Sequence, residues 1–295
     1  MSQSIALAEK FQPILDEIYK VSSVTSRLDS MTKPIDNGGV AQVSIFKTEI
    51  VGMGDYSRSG GYPKGQIVGT WETVTLTAER GREFNIDRMD DEESLGMAFG
   101  TLAGEFIRTA VAPEVDAYRF YKYASASGIQ SATPATLSST TVLAAIDAAK
   151  QALDDEEVPV EGRILFVSSS VQHMIEAAVT RMYGTGGSVD RRVPSLDGIE
   201  IVPVPQGRFY TEITLDPGSA VDAGGYSKTT LTGKDLNFML LHPSARDQAT
   251  KLAQLKIFDP DTNQDGDYWK VQYRLYHDAW VYDNKVKGIY IHNKA

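Results

Sequence analysis

The chain has 295 residues, 42% hydrophobic and 23% charged, which is enough apolar material for one large domain or two smaller ones with buried cores. Its 39 acidic against 29 basic residues leave a net charge of −10, excluding a broad basic face for sequence-independent binding to nucleic acid. The absence of cysteine excludes disulfides, thiolate nucleophiles and cysteine-based metal sites, and no apolar run nears the ~20 residues that a bilayer demands.

At the N-terminus, Met1–Lys10 has neither a basic region nor a long hydrophobic stretch, so a soluble, non-secreted protein is expected. Ile5, Leu7, Phe11, Ile14, Leu15, Ile18 and Tyr19 have roughly helical spacing with Pro13 among them, which predicts an amphipathic arm rather than a free-standing domain. From Val40 the texture is of β type. Val40, Val43, Ile45 and Ile50 lead into a glycine-rich stretch from Gly52 to Gly65, and Ile67, Val68, Trp71, Val74 and Leu76 lead back, predicting a long hairpin. Its tip, GMGDYSRSGGYPKG, offers little to bury, so a projecting hairpin of this length gains most of its order from a second chain that covers it.

The acidic cluster Asp87, Asp90, Asp91, Glu92 and Glu93 precedes Leu95, Ala98, Phe99, Leu102, Phe106, Ala110 and Val111 at helical spacing. Carboxylates suit the positive end of a helix dipole, so a long helix is expected to begin there. Pro113 falls inside the pattern, which resumes through Val115, Tyr118 and Tyr121; a kink or break follows from the missing N–H, and a second helical stretch ends near Gly128, about 35 residues in all.

A Ser/Thr/Pro-rich connector over 125–141 leads to a helix from Val142 to about Leu153, an acidic run Asp154–Glu157 and a short buried strand Arg163–Val167. Ser168–Ser170 are placed to cap a helix carrying Val171, Met174, Ile175, Ala178 and Met182. After turn signals at Gly184–Gly187 and Pro194–Gly198, Ile199, Ile201, Val202 and Val204 predict a strand closed by Pro203 and Pro205. The stretch 138–242 reads as an α/β subdomain. Trp269, Val271, Tyr273 and Leu275 then alternate with Lys270, Gln272 and Arg274, the pattern of a strand with one buried face. Asp283 and Asn284 turn the chain into a strand over Val286–Ile291. No fixed-period repeat is present, and no linker is long enough to separate independent domains.

Motifs of chemistry are few. Asp261-Thr-Asn263-Gln-Asp265-Gly266-Asp267 has the ligand spacing of a calcium loop, but its twelfth position is Gln272 where a bidentate Glu belongs, and Pro260 stands where an entering helix is needed. A solvated turn explains the same residues. His173, His242, His277 and His292 have no H-E-x-x-H spacing. The glycines at 52, 54, 60, 61 and 65 fit neither a dinucleotide fingerprint nor a P-loop, no G-x-S-x-G elbow occurs, and the carboxylate runs at 87–93 and 154–157 are explained by a helix start and a solvated loop. No catalytic residue, cofactor site or metal ligand is assigned.

The order of elements is arm, long hairpin, long helix, α/β subdomain and returning strands. VAPEVDAYRFY at 111–121 resembles a proline-interrupted spine helix, GIEIVPVPQGRFY at 198–210 a strand of an axial domain, and LNFMLLHPSA at 236–245 a return towards a peripheral domain, completed by YRLYHDAWVYDNKVKGIYIHN at 273–293. Over nearly its whole length the chain resembles the major capsid proteins of tailed bacteriophages with the HK97-type fold. That resemblance implies an α+β fold comprising an N-terminal arm (1–35), an extended hairpin loop (36–85), a peripheral domain with the spine helix (86–137 and 243–295) and an α/β axial domain (138–242). It also implies a homo-oligomer of pentamers and hexamers forming an icosahedral shell around double-stranded DNA without specific binding, no membrane, and assembly in the bacterial cytoplasm into a virion. A separate scaffolding protein or none, a portal and decoration proteins are the further partners implied. The extended loop would lie over a neighbouring subunit, making Tyr56, Arg58, Tyr62, Lys64 and Trp71 the candidate inter-subunit residues. Lys47 and Lys64 are placed where some relatives crosslink, and no crosslink is expected here. Rival readings are an encapsulin-like cellular shell of the same fold, a calcium-dependent β-rich adhesion protein, and a hydrolase with a spatial triad.

Overall fold

The computed structural model describes residues 23–31, 42–93, 104–179, 182–183, 189–190, 193–219 and 223–295. The expected arm helix before residue 23 and the start of the long helix at 94–103 lie outside the described residues. In chain order come Gln42–Ile50 (β1), Ile67–Thr75 (β2), Ala78–Asp87 (β3), the short helix Arg88–Glu93 (α1), and Ala112–Ala124 (α2), entered through a π turn at Ile107–Val111. Next are Gln130–Ser131 (β4), Val142–Asp155 (α3), Ile164–Ser168 (β5), Ser169–Ala178 (α4), Met182–Tyr183 (β6), Val189–Asp190 (β7), Ser195–Leu196 (β8) and Ile199–Val204 (β9). Ile213–Leu215 (β10), Tyr226–Lys228 (β11), Leu236–Leu241 (β12), Arg246–Phe258 (β13), Tyr268–Val281 (β14) and Ile289–Asn293 (β15) complete the chain.

Six strands form a mixed sheet in the order β4-β15-β12-β5-β9-β8. Its central strands β5 and β12 are buried at every position, because both faces of the sheet are covered. Ile164 and Phe166 point to one core, shared with Phe120 and Tyr123 of α2, while Leu165 and Val167 point to the other, against α3 and α4. The period of two thus divides one strand between two cores. A bulge between Leu236 and Phe238 resets that alternation, which is why Leu236 and Met239 share a face. Helix α3 buries Val142, Ile146, Ala149 and Leu153, the 3.6-residue stripe of a helix lying on a sheet. Pro203 is tolerated inside β9 because β8 pairs only with its first two residues, Ile199 and Glu200, so the second edge of the strand is free at the proline.

A second sheet has the order β13-β14-β3, with Val271 and Leu275 of β14 buried on its inner face. Strand β3 carries no apolar alternation in sequence, since its half-buried positions include Arg80 and Arg82. Both are satisfied in the interior: Arg80 Nε donates to Glu114 of α2 at 2.6 Å, and Arg82 Nη1 to the Ala223 carbonyl at 2.7 Å.

Several local expectations are corrected. A helix does start at the acidic cluster, as expected: Asp90, Asp91, Glu92 and Glu93 lie in α1, and Asp87 accepts the Met89 N–H at 2.9 Å as a cap. Pro113 does not break its helix, because the π turn immediately before it relieves the clash between a proline ring and the preceding turn, and the helix stops at Ala124 rather than near Gly128. Asp154 and Asp155 belong to the last turn of α3, where Asp154 pairs with Arg163 at 2.6 Å. Ser168 occupies the cap position of α4 without a side-chain cap bond; its hydroxyl lies 3.1 Å from that of Ser170, and α4 ends at Ala178, short of Met182. The final strand begins at Ile289, after a 3-10 turn over Asp283–Gly288.

Candidate subunit interface

Strands β1 and β2 form a two-stranded sheet of their own, paired antiparallel without a register shift from Gln42↔Thr75 to Ile50↔Ile67. Antiparallel register decides which side chains share a face. Val43, Ile45, Lys47, Glu72 and Val74 fall on one side, which is buried or half-buried against the body. Phe46, Ile50, Ile67 and Trp71 fall on the other, and all are exposed, Phe46 by 53% and Trp71 by 68%. The Phe46 and Trp71 rings are cross-strand partners with centroids 5.0 Å apart. Gly69, diagonal to Phe46, leaves room for its ring to lie across the strand.

At the tip the chain closes a smaller hairpin. Ser57 and Gly61 exchange backbone hydrogen bonds of 3.1 and 2.7 Å, Gly61 adopts φ +78°, and the Gly60 N–H donates to Ser57 Oγ at 3.1 Å. This turn brings Tyr56 and Tyr62 to a centroid separation of 4.9 Å. Of the five candidate residues, Tyr56, Arg58 and Tyr62 therefore cluster at the tip, Lys64 follows on the exposed return, and Trp71 lies on the outward face of β2. Phe46, Ile50 and Ile67 complete that face and were not among the candidates, because a list of apolar positions does not disclose facing until the register is known.

The root of the hairpin is tied down by polar contacts. Lys47 Nζ lies 2.8 Å from Glu72 and also pairs with Asp283 of the turn after β14; the bonds to Asp283 and Glu72 raise its pKa. Beyond β2, the Thr77 N–H and hydroxyl both donate to Asp278 at 2.8 Å, and Tyr118 of α2 donates to the same carboxylate at 3.0 Å. Burial pushes the Tyr118 phenol well above its ordinary range. Val43, Leu76 and Trp280 form a small apolar cluster beneath. The hairpin is thus clamped at its base while its outer face and tip extend from the body.

A cleft of about 580 Å³ beside the root is lined by Lys47, Glu72, His242, Ser244 and Asp283 among others. It holds a Ser–His approach, Ser244 Oγ to His242 Nδ1 at 2.7 Å, but that nitrogen also accepts the Ser244 N–H at 3.3 Å. The imidazole is capping a turn. In the calcium-like loop, Asp261 and Asp267 lie 3.4 and 3.6 Å from Arg88, and Asp265 pairs with Lys270. Among the described residues no group of three or more His, Asp or Glu side chains is placed to hold a metal ion, and no helix is long and apolar enough to cross a membrane.

No family model matches the chain, and no curated protein matches it significantly. Solved structures do. A structure from Mycobacterium phage Che8 aligns with a TM-score of 0.69 at 16% identity, covering 99% of this chain and 98% of that one. The capsid structure of cyanophage P-SCSP1u aligns at 0.66 with 11% identity, covering 98% and 93%. The asymmetric unit of the bacteriophage PhiM1 mature capsid aligns at 0.66 with 12% identity, covering 98% and 92%. The mixed helix and strand fold of phage capsid structures is therefore shared along nearly the full length of both partners.

Proposed function

We propose that the chain is a structural major capsid protein of the tailed-phage, HK97-type class, assembling as pentamers and hexamers into an icosahedral shell around double-stranded DNA. The observation that carries this reading is the likeness to phage capsid structures over 98–99% of the chain. On this reading 1–35 is the arm, 36–85 the extended loop, 86–137 with 243–295 the peripheral domain containing α2 as spine, and 138–242 the axial domain. The shell is the protein's location in the virion, and scaffolding, portal and decoration proteins are its further partners.

The hairpin supplies the mechanism. Its outward face would be covered by a neighbouring copy, with Tyr56, Arg58, Tyr62 and Lys64 at the tip and Trp71 with Phe46 along the ladder. Covering one large aromatic side chain is worth about 1.5–3 kcal/mol, a modest term for one contact that is repeated at every subunit of a closed shell. The net charge of −10 suits a container whose wall does not grip the phosphates passing it.

Negative-stain electron microscopy and size-exclusion chromatography of the protein expressed alone test this reading, with closed shells or rings of five or six subunits as the expected result. Trp71→Ala is expected to leave a folded subunit that no longer closes shells. A stable monomer that forms no ring under any assembly condition, with or without added scaffold, would refute the proposal, and normal shells from Trp71→Ala would remove the hairpin from the contact.

A further inference from the structure

Ser23–Met31 lies where the two large sheets meet, and it is held mostly by polar bonds. The 3-10 turn Thr25–Met31 is too short to be stable alone. Val24 and Leu28 are buried among the side chains of α2 and the six-stranded sheet. The rest of the docking centres on Asp116 of α2, a carboxylate with no exposed surface. Its Oδ1 accepts Ser23 Oγ at 2.7 Å, the Thr25 N–H at 3.1 Å and Thr25 Oγ1 at 2.6 Å; its Oδ2 accepts the Val24 N–H at 2.9 Å and Arg208 Nη1 at 3.0 Å.

Neighbouring groups extend the grip. Arg119 donates to Thr25 Oγ1 at 3.0 Å and approaches Asp29 to 3.2 Å, and Arg246 donates to the Leu28 carbonyl at 3.1 Å. Gln248 donates to Asp29 and accepts the Tyr123 hydroxyl at 2.7 Å. The receptor groups thus come from three places. Asp116, Arg119 and Tyr123 stand on α2, Arg208 follows β9 of the six-stranded sheet, and Arg246 with Gln248 begin β13 of the three-stranded sheet.

Two consequences follow from the chemistry of that notch. Four of the five bonds to Asp116 come from the segment, yet the Arg208 partner belongs to the body, so an emptied notch keeps an ion pair that water can hydrate. A purely apolar plug would leave a void instead. When docked, the segment reaches both sheets at once, Arg27 pairing with Glu200 of β9 and the Leu28 carbonyl accepting from Arg246 of β13, and so opposes rotation of one against the other about α2. We propose that Ser23–Met31 is a separable lock, seated in the Asp116 notch, that fixes the angle between the six-stranded and three-stranded sheets. This inference is independent of the capsid reading, since it concerns the folded chain whatever it assembles into.

The cysteine-free sequence allows a direct test in the full chain. Cysteines replacing Val160, on the six-stranded side, and Lys256, on β13, both exposed, take spin labels, and the doubly labelled protein is diluted into unlabelled chain so that only distances within one subunit are read. Asp116→Asn, or Thr25→Val where the first fails to fold, is expected to speed amide exchange over 24–28 by about tenfold or more, the scale of one lost charge-assisted hydrogen bond. Amides of β5 and β12 should keep their protection while the distance distribution broadens. Faster exchange with an unchanged distance distribution would overturn the lock. Loss of β5 and β12 protection together with the segment would overturn its separability, and full protection of 24–28 in Thr25→Val would overturn the role of the notch.

Discussion

The six-stranded sheet and the β1–β2 hairpin use the same repertoire of Phe, Ile, Val and Leu or Trp, and differ in what lies against their second face. In β5 and β12 both faces meet helices of the same chain, so no position is exposed. In the hairpin one face meets the body through Val43 and Ile45, while Phe46, Ile50, Ile67 and Trp71 are left largely exposed. An isolated two-stranded ribbon is marginal in water, and a row of uncovered apolar side chains on one marks a contact with another molecule rather than a defect of the fold. Two regions of similar composition thus differ in exposure, one burying its apolar side chains within the chain and the other presenting them, on the proposed reading, to a neighbouring copy.

The largest expected effect that tests this contrast is Phe166→Ala. Phe166 is fully buried and packs edge-on against Phe120 of α2, with centroids 5.2 Å apart. Removing its ring should cost about 3–5 kcal/mol of subunit stability, read from the urea midpoint. Trp71→Ala in the same assay should shift stability by less than about 0.5 kcal/mol. The contrast breaks if the two variants cost similar amounts, because Trp71 would then be a core residue of its own subunit.

How far the sequence discloses each region follows from the same distinction. The hairpin and α3 are legible because apolar residues recur at the spacing of a strand or a helix, and β5 because its short unbroken apolar run Ile164–Val167 fits a strand covered on both faces. Strand β3 is not, because its inward positions hold Arg80 and Arg82 bonded to Glu114 and a carbonyl that are remote in sequence. The π turn before Pro113 also escapes periodicity, which predicts an interruption without its form. Within the proposed interface, Tyr56, Arg58, Tyr62, Lys64 and Trp71 follow from position in the loop, whereas Phe46, Ile50 and Ile67 need the register of the ladder. The Asp116 notch has no sequence signal at all, since Ser23 and Asp116 are 93 residues apart and neither lies in a motif.

A second, smaller effect separates the regions by pH. His277 is 2% exposed and stands edge-on to Tyr118 at 5.2 Å. Burial, reinforced by the Arg119 charge and opposed by Asp278, lowers its pKa from 6.5 to about 4. The unfolded chain therefore binds a proton between about pH 6.5 and 4 that the folded chain refuses, so stability is complete above that window and falls by roughly 3 kcal/mol as pH drops through it. His242 and His292 are lowered in the same direction by burial. His277→Phe should keep the ring contact with Tyr118 and flatten the acid slope of the urea midpoint. The hairpin from Gln42 to Thr75 contains no histidine, so the protection of its amides, taken relative to their intrinsic exchange rate at each pH, should stay level over the same window. Parallel acid loosening of hairpin and body would show that they open as one unit.

The smallest expected effect on the subunit is Gly69→Ala, and it sharpens the comparison most. A methyl group at 69 would overlap the outer edge of the Phe46 ring, and that ring is 53% exposed, so it can swing outward. Gly69 sits inside β2 in an extended backbone, where alanine regains some of the conformational entropy that glycine loses, about 0.5–1 kcal/mol. The cost of displacing the ring and the entropic gain nearly cancel, and the stability of the free subunit should move by no more than about 0.5 kcal/mol. The ring contact with Trp71, however, would be lost, and with it the tilted aromatic pair that a neighbour is proposed to cover. The protein concentration needed for assembly should rise while the subunit itself is unaffected. A destabilised subunit with an unchanged assembly threshold would mean that Phe46 and Trp71 serve the hairpin's own cohesion, and that the contact between copies lies at the Tyr56 and Tyr62 tip instead.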